Sequence, residues 1–373
     1  MALLFCDGFD FYSTNEFNLL NNLWDTMDFG TTQQDLSQSN PRHGTGHIRA
    51  NTFLGRDSLA KIISPAIATI GAGVALYTTF LPKRNNLATI LSFRDPDDKP
   101  NISLVLQSTG TISVVRGDAE TGTILGTTAT ACIRAKCYQH IECKANFDST
   151  TGFVEVRVNG VTVLSLINQD TVAGAAELKN FAASAANSCG WVALEGFSEY
   201  TFELSENYIV DFDDFFIWDT TGTYNNDFLG DQFVSVLAPN ADTAAADWTA
   251  LSGSGFENID NADPDSDSTY IYAGAPGSPA ELTSEFDMSN LATSSGPVAA
   301  VMVLNRVRKD DTSVSPQFQA GIVQGGSTSK TLTEAVTPME TNFWHIFETD
   351  PSSGIPFTAS DVNSLKLQLN RTN

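Results

Sequence analysis

Polar and apolar residues alternate at period two along much of this chain, and Gly, Asn, Asp and Ser break the alternation at short intervals. Asn101-Ile102-Ser103-Leu104-Val105-Leu106 and Ile112-Ser113-Val114-Val115-Arg116 flank a Ser108-Thr109-Gly110 turn, which predicts a hairpin. Gln139 to Lys144, Phe153 to Val158 and Val161 to Leu166 alternate in the same way. They are joined by Asp148-Ser149-Thr150-Thr151-Gly152 and by Asn159-Gly160, the latter a type I′ signal. Three strands and two tight turns predict an antiparallel meander. Further strands are expected at Leu3-Leu4-Phe5, Trp191 to Leu194 and Tyr208 to Trp218.

Two stretches depart from this pattern. Ile62 to Leu81 is uncharged and long enough to span a bilayer, but Pro65, Gly71, Gly73 and several Thr dilute it. Two buried strands around a Gly-rich turn are expected there instead of a membrane helix. Residues 170–190 are rich in Ala and Ser and lack β-branched density, predicting a short helix or a surface loop.

Residues 219–231, rich in Thr, Gly, Asn and Asp, mark a boundary between two domains, 1–220 and 221–373. In the second, strands are expected at Phe233 to Leu237, ended by a Pro239-Asn240 turn, at Val298 to Leu304, at Phe318 to Val323 and at Phe343 to Phe347. Many short strands with turns every ten or so residues predict an all-β protein of two antiparallel β-sandwich domains. A faint internal echo relates the His140, Asp148 and Gly152 region to His345, Asp350 and Gly354.

The first domain resembles concanavalin A-like or laminin-G-like jelly rolls through DGFD at 7–10, HIECKANFDSTTGFVEVRVNG at 140–160 and DFDDFFIWD at 211–219. In that family the first and last strands pair, which implies that Asp7 to Asp10 lie near Asp211 to Asp214. The second half resembles a structural module of tailed-phage and prophage proteins over 213–366. The residues that carry this are FFIWDTTGTYNNDFLGD, WTALSGSGFENIDNADPDSDSTYI, RVRKDDTS and ETDPSSGIPFTASDVNSL, in that order. The short C-terminus, LKLQLNRTN, departs from the pattern. The resemblance implies a virion component and carries no general catalytic motif.

Charge narrows the set of partners. There are 44 acidic and 20 basic residues, a formal net charge of −24, and only 6 of the Lys and Arg lie beyond residue 220. Such a surface repels phosphate backbones and anionic lipid, so neither nucleic acid nor membrane is an expected partner. The five cysteines, Cys6, Cys132, Cys137, Cys143 and Cys189, show no CxxC pair, which predicts reduced and mostly buried thiols made in a cytoplasm. The opening MALLFCDGFDFY has no basic n-region and meets Asp7 and Asp10, so no secretory signal is expected.

Candidate chemistry is sparse. Lectin-like glycanases carry an E-x-D-x-x-E strand; the nearest string here, Asp211-x-Asp213 followed by Asp214, lacks a Glu. It reads as acids at a strand terminus, facing solvent or capping a turn. Asp263, Asp265 and Asp267 have D-x-D-x-D spacing suited to calcium but lack the following Gly and distal Glu, so a solvated acidic loop is the plainer reading. Asp7 with Asp211, Asp213 or Asp214 is a second calcium candidate, conditional on the strand pairing. His43 and His47 lie in a Gly-rich loop, and His140 and His345 sit on strands beside aromatics, where packing explains them. No GxSxG, P-loop or dinucleotide fingerprint occurs. Trp24, Tyr77, Trp191, Trp218, Trp248 and Trp344 are the aromatics weighed for stacking on sugar, with Trp248, in a polar loop, the first candidate.

The expected protein is therefore non-enzymatic, with no required cofactor. It is a structural component on the surface of a tailed-phage virion (capsid decoration, head fibre or tail-associated), assembled in the host cytoplasm. Its partners would be other virion capsid or tail proteins and copies of itself, a homo-oligomer with a trimer favoured. The alternative on the same scaffold is a carbohydrate-binding adhesin that contacts a host-surface glycan.

Overall fold

Period-two alternation places one row of side chains on each face of a strand, and in this protein it builds antiparallel sheets throughout. The computed structural model describes residues 2–12, 23–28, 35–37, 41–51, 58–82, 88–179, 181–195, 209–260, 268–274, 281–292, 296–310 and 316–372. The chain divides into two compact units, Ala2–Val234 and Ser235–Asn373. Residues 221–234, placed beyond the boundary by composition, belong to the first unit.

The first unit contains β1 (Leu3–Asp7), β2 (Thr26–Asp28), β3 (Asp35–Ser37), β4 (His47–Asn51), β5 (Ser58–Ile67), β6 (Thr69–Thr78), β7 (Ala88–Arg94), β8 (Pro100–Leu106), β9 (Ile112–Arg116), β10 (Thr123–Thr127), β11 (Gln139–Asn146), β12 (Gly152–Val158), β13 (Val161–Gln169), β14 (Cys189–Glu195) and β15 (Ile209–Asp219). An eight-stranded sheet runs β13-β12-β11-β6-β15-β4-β3, with β1 also paired to β15. A seven-stranded sheet runs β10-β9-β8-β7-β14-β5-β2. Phe212, Phe215 and Ile217 from β15, Val74 and Leu76 from β6 and Ile141 from β11 are buried from the first sheet, as are Phe93, Leu104 and Val114 from the second. Burying these apolar faces is the main stabilising term.

The predicted hairpin and meander form as expected, and Asn159 and Gly160 have the positive φ that a type I′ turn requires. The apolar stretch 62–81 is also two strands, but the turn sits at Ala68, and β5 and β6 belong to different sheets. Gly71 and Gly73 lie inside β6 because the rings of Trp218 and Phe216 occupy the space above them. Among the described residues no helix is long and apolar enough to cross a membrane. Within 170–190 there is one turn of 3-10 helix, Ala175–Glu177, Cys189 and Gly190 open β14, and the described remainder packs as a loop onto β8. There Asn101 accepts from the Ala173 amide and donates to the Ala186 carbonyl. Cys143 and Cys189 are buried and Cys137 is exposed; all five thiols are unpaired.

The second unit is built on a six-stranded sheet ordered Pro239–Ala246, Leu282–Met288, Lys366–Thr372, Gln317–Gln324, Ser327–Lys330, with Glu334–Ala335 also paired to Gln317–Gln324. Three two-stranded ribbons complete it, including Val301–Val307 with Thr341–Phe347. Phe286, Phe318, Ile322 and Leu369 of the sheet pack with Val303, Phe347 and Phe357 of the ribbons in one core. The strand expected at 233–237 does not form: these residues have no ladder partner, and Pro239, expected to end it, opens the next strand. The internal echo extends only to the turns, where Asp148 and Asp350 each accept amides two and three residues on.

Substituting Gly71→Ala places a methyl about where the Trp218 ring stands, with the new Cβ 2.2 Å from its Cζ2. Overpacking of this kind costs about 1–3 kcal/mol, so the first unit's urea midpoint is expected to fall by that equivalent; an unchanged midpoint would count against the ring placement.

Candidate ligand-binding face of the first unit

The two faces of the eight-stranded sheet differ sharply. One row of β4, β6, β11, β12 and β15 points to the core; the other carries Arg49 on β4, Asp211, Asp213, Phe216 and Trp218 on β15, Tyr77, Ala75, Gly73 and Gly71 on β6, His140, Glu142 and Lys144 on β11, and Arg157 and Glu155 on β12. Residue parity dictates this grouping, with one exception. The β15–β6 register slips between Asp213 and Phe216, and Asp214 has φ 51°. The extra residue of that bulge keeps Phe216 and Trp218 on the same face as Asp211 and Asp213.

Three buried carboxylates of β15 are each held by donors. Asp211 accepts both arms of Arg49, at 2.7 and 3.0 Å, and lies 3.4 Å from His47 Nε2. Burial alone would push its carboxyl up, but the His47 and Arg49 contacts hold it below the usual range. Asp213 accepts the backbone amides of Asp214 and Arg42, both at 2.8 Å. Burial, and then the neighbouring Asp214 charge, push it up to about 8. Asp214 accepts the Val234 amide at 2.8 Å and Arg42 Nη1 at 3.1 Å, and burial raises it to about 6. Arg42 in addition donates to the Gln232 carbonyl and bonds Asp231.

Residues 219–234 cross this face as a strap. Asp227 pairs with Lys144 at 2.6 Å. The Phe228 ring lies between the Trp218 ring, 5.7 Å away, and the Arg157 guanidinium, 3.7 Å from its centroid. The Leu229 and Gly230 amides donate to Glu142 Oε1 at 2.8 and 3.0 Å. Beneath the strap His140 stacks on Phe216 at 5.4 Å. Burial holds His140 down at about 4 and pushes Glu142 up to about 7. Both ring nitrogens of His140, Glu142 Oε2 and Trp218 Nε1 are buried with no hydrogen-bond partner in the chain. Each such group costs about 1–3 kcal/mol.

The strap leaves one end of the face uncovered. There Tyr77 and Tyr138 are half-buried with ring centroids 5.4 Å apart. They stand on the same face as the Arg49–Asp211–His47 set, and Phe80 beside them is 46% exposed under Lys136.

The resemblance-based pairing of the first and last strands is present, with Asp7 opposite Phe215. It does not assemble a cation site. Asp7 alternates with Leu3 and Phe5 on the core side, where it accepts from the Phe9 amide, Tyr12 Oη and Trp24 Nε1. Asp10 accepts the Thr45 and Gly46 amides. Nor do Asp211, Asp213 and Asp214 face solvent, as strand-end acids would; they are buried. Among the described residues no group of three metal-ligating side chains converges. Asp263, Asp265 and Asp267 lie outside the described residues.

Of the sequence-proposed aromatics, Trp24 and Trp218 are fully buried. Trp248 is half-buried: its ring meets Phe318 edge-on at 6.3 Å and Nε1 donates to the Leu282 carbonyl. His43 packs on Phe233 at 4.9 Å and His345 on Phe347 at 4.8 Å. Tyr138, Arg42, Arg49 and Glu142 were missed. Their signals were the alternation that places Tyr138, His140 and Glu142 in one row, and the two arginines flanking a Gly-rich loop.

No protein-family model and no curated protein matches the chain. Among solved structures it is similar to a cellulose induced protein, Cip1, at 13% identity over 57% of this chain and 96% of that one, with a TM-score of 0.39. It is also similar to alginate lyase AlgAT5 from polysaccharide lyase family 7, at 12% identity, 51% and 83% coverage and TM-score 0.35. A third is carbohydrate binding module CBM66 from Bacillus subtilis, at 7% identity, 50% and 94% coverage and TM-score 0.31. Similarity at these scores transfers no site to this chain.

The buried acids set a pH dependence. Asp213 and Glu142 hold protons when folded that the unfolded chain has released, so their stabilising contribution is lost as pH rises towards 8 and 7. His140 acts in the opposite sense between about 4 and 6.5. From pH 6.5 to 8.5 the first-unit melting temperature is therefore expected to fall by a few degrees, at about 2–4 °C per kcal/mol. Asp213→Asn should flatten that slope; an equally steep slope in the variant would refute the assignment.

Proposed function

We propose that the first unit is a non-catalytic glycan-binding module whose contact surface is the uncovered end of the polar sheet face. The observation that carries this is the half-exposed Tyr77–Tyr138 pair on the same face as the fixed Arg49–Asp211–His47 set. A tyrosine ring offers a flat apolar platform for the C–H face of a sugar, and a clamped guanidinium offers N–H donors to its hydroxyls without loss of side-chain freedom. Binding without turnover fits the acids: Asp211, Asp213 and Asp214 are committed to structural donors, whereas glycosidic cleavage needs a free acid and a free base or nucleophile.

We further propose that this module acts on the surface of a tailed-phage virion and assembles through the second unit as a homotrimer. The virion reading draws on the sequence resemblance over 213–366. Assembly draws support from Leu332 and Met339, 74% and 77% exposed and the most exposed large apolar side chains among the described residues. Both lie on one short stretch, and covering them would remove apolar surface from water.

Two measurements test these readings. On a glycan array the protein is expected to retain a defined set of glycans, and Tyr138→Ala to weaken binding by about 3–10-fold with the fold intact by circular dichroism. Retention of no glycan, or full retention by the variant, would sink the binding reading. Mass photometry is expected to find a trimer that Leu332→Ser with Met339→Ser shifts to monomer; a monomeric wild type would remove the assembly reading.

A further inference from the structure

The strap covers the half of the polar face where the unpartnered groups are concentrated. His140, Glu142 and Trp218 are at most 1% exposed, yet four of their polar atoms find no partner in the chain. They lie at neighbouring register positions, His140 opposite Ala75 and Glu142 opposite Gly73 on β6, with Trp218 opposite Gly71. The strap presents two backbone amides and one aromatic ring to Glu142 and Trp218, through Leu229, Gly230 and Phe228, and none of these bonds His140, Glu142 Oε2 or Trp218 Nε1. Packing against apolar atoms leaves such donors and acceptors unsatisfied. The floor beneath is a strand without side-chain bulk, at Gly71 and Gly73, and its space is taken by the Trp218 and Phe216 rings.

We propose that the strap covers a second saccharide-binding subsite, continuous with the uncovered one, and that a neutral, hydroxyl-rich sugar chain displaces Phe228–Gly230 to occupy it. The inference deepens the glycan-binding reading and rests on it. Phe228 between Trp218 and Arg157 occupies the place of a sugar ring, and the Leu229 and Gly230 amides occupy the place of two hydroxyls on Glu142. A sugar hydroxyl both donates and accepts, so the same ligand serves the Glu142 oxygen, the Trp218 indole N–H and the two unlike nitrogens of a neutral imidazole, which an amide N–H cannot do. A neutral chain is favoured because the group that lines the covered subsite is itself a carboxyl, Glu142, which an acidic chain would meet.

The strap's own anchors suit displacement. The Lys144–Asp227 and Arg42–Asp231 pairs each have an exposed acid, and exposed pairs contribute little. Gly230 has φ 80°, which proline is barred from and which its missing N–H would compound. Gly230→Pro therefore loosens the strap at its contact with Glu142 and leaves the Tyr138 end untouched.

The test uses cellohexaose, maltohexaose and mannohexaose as probes, titrated calorimetrically into the full chain. Gly230→Pro is expected to bind at least one of them tenfold or more tighter than wild type, and adding Glu142→Gln to remove that gain. In wild type, hydrogen exchange of residues 226–234 is expected to quicken when the hexasaccharide saturates. If wild type binds through Tyr138 but Gly230→Pro gains nothing and exchange in the strap is unchanged, the covered subsite is wrong and the glycan reading stands. If neither protein binds any probe, both fall. Should Gly230→Pro fail to fold, the wild-type exchange measurement decides alone.

Discussion

The first unit depends on how β15 accommodates three acids in eight residues of apolar strand. Asp211, Asp213 and Asp214 sit among Phe212, Phe215 and Phe216, and burying a carboxylate without partners is prohibitive. The bulge at Asp214 supplies the solution. It gives each acid a separate set of donors and aims them at chain segments far apart in sequence: Arg49 on β4, the Arg42 backbone in the 41–47 loop, and the Val234 amide at the end of the strap. The same strand pairs with β1, β4 and β6. The acids therefore tie the 41–49 segment and Val234 to the strand on which the sheet is built.

That arrangement sets the places of two of the chain's cations, Arg42 and Arg49. Arg42 contacts Asp214, Asp231 and the Gln232 carbonyl, so one guanidinium touches both strand and strap. A lysine, with a single rotatable point charge, could not span three acceptors in a fixed plane. Burial raises Asp213, whose donors are backbone amides, and Glu142, which Arg157 offsets only in part. Two physical answers to one problem, pairing and protonation, coexist within a few residues.

Local order was legible in the sequence. The meander from Gln139 to Leu166 needs only neighbouring residues, so alternation and Asn159-Gly160 specify it. What was not legible depends on residues far apart. Gly71 and Gly73 read as a turn because nothing near them says otherwise; the reason they are glycine is Phe216 and Trp218, about 145 positions later. Phe233 to Leu237 alternates like a strand, but part of it is spent packing onto Gly8 and His43, and no ladder forms. The acids of β15 looked like a solvent-facing terminus because their donors sit in PRHGTGHIR, 160 or more residues upstream. For the site, the row holding Tyr138, His140 and Glu142 could be read from parity, whereas the strap above it could not.

The covered and uncovered halves of the polar face share one sheet but differ in what satisfies them. At the open end Asp211 is paired with Arg49 and His47, and aromatic rings remain half-exposed, a state stable in water and ready for a ligand. Under the strap the rings are sealed and the polar atoms are left wanting, a state that water contact or a hydrogen-bonding ligand would improve. The strap is thus stabilised by the apolar surface it hides and opposed by the polar groups it strands. A ligand shifts that balance only by as much as it binds the uncovered state better, and the stranded polar groups are where such a difference arises. In the core of the unit, by contrast, the buried Asp7 accepts three donors, and no ligand has to complete its hydrogen bonds.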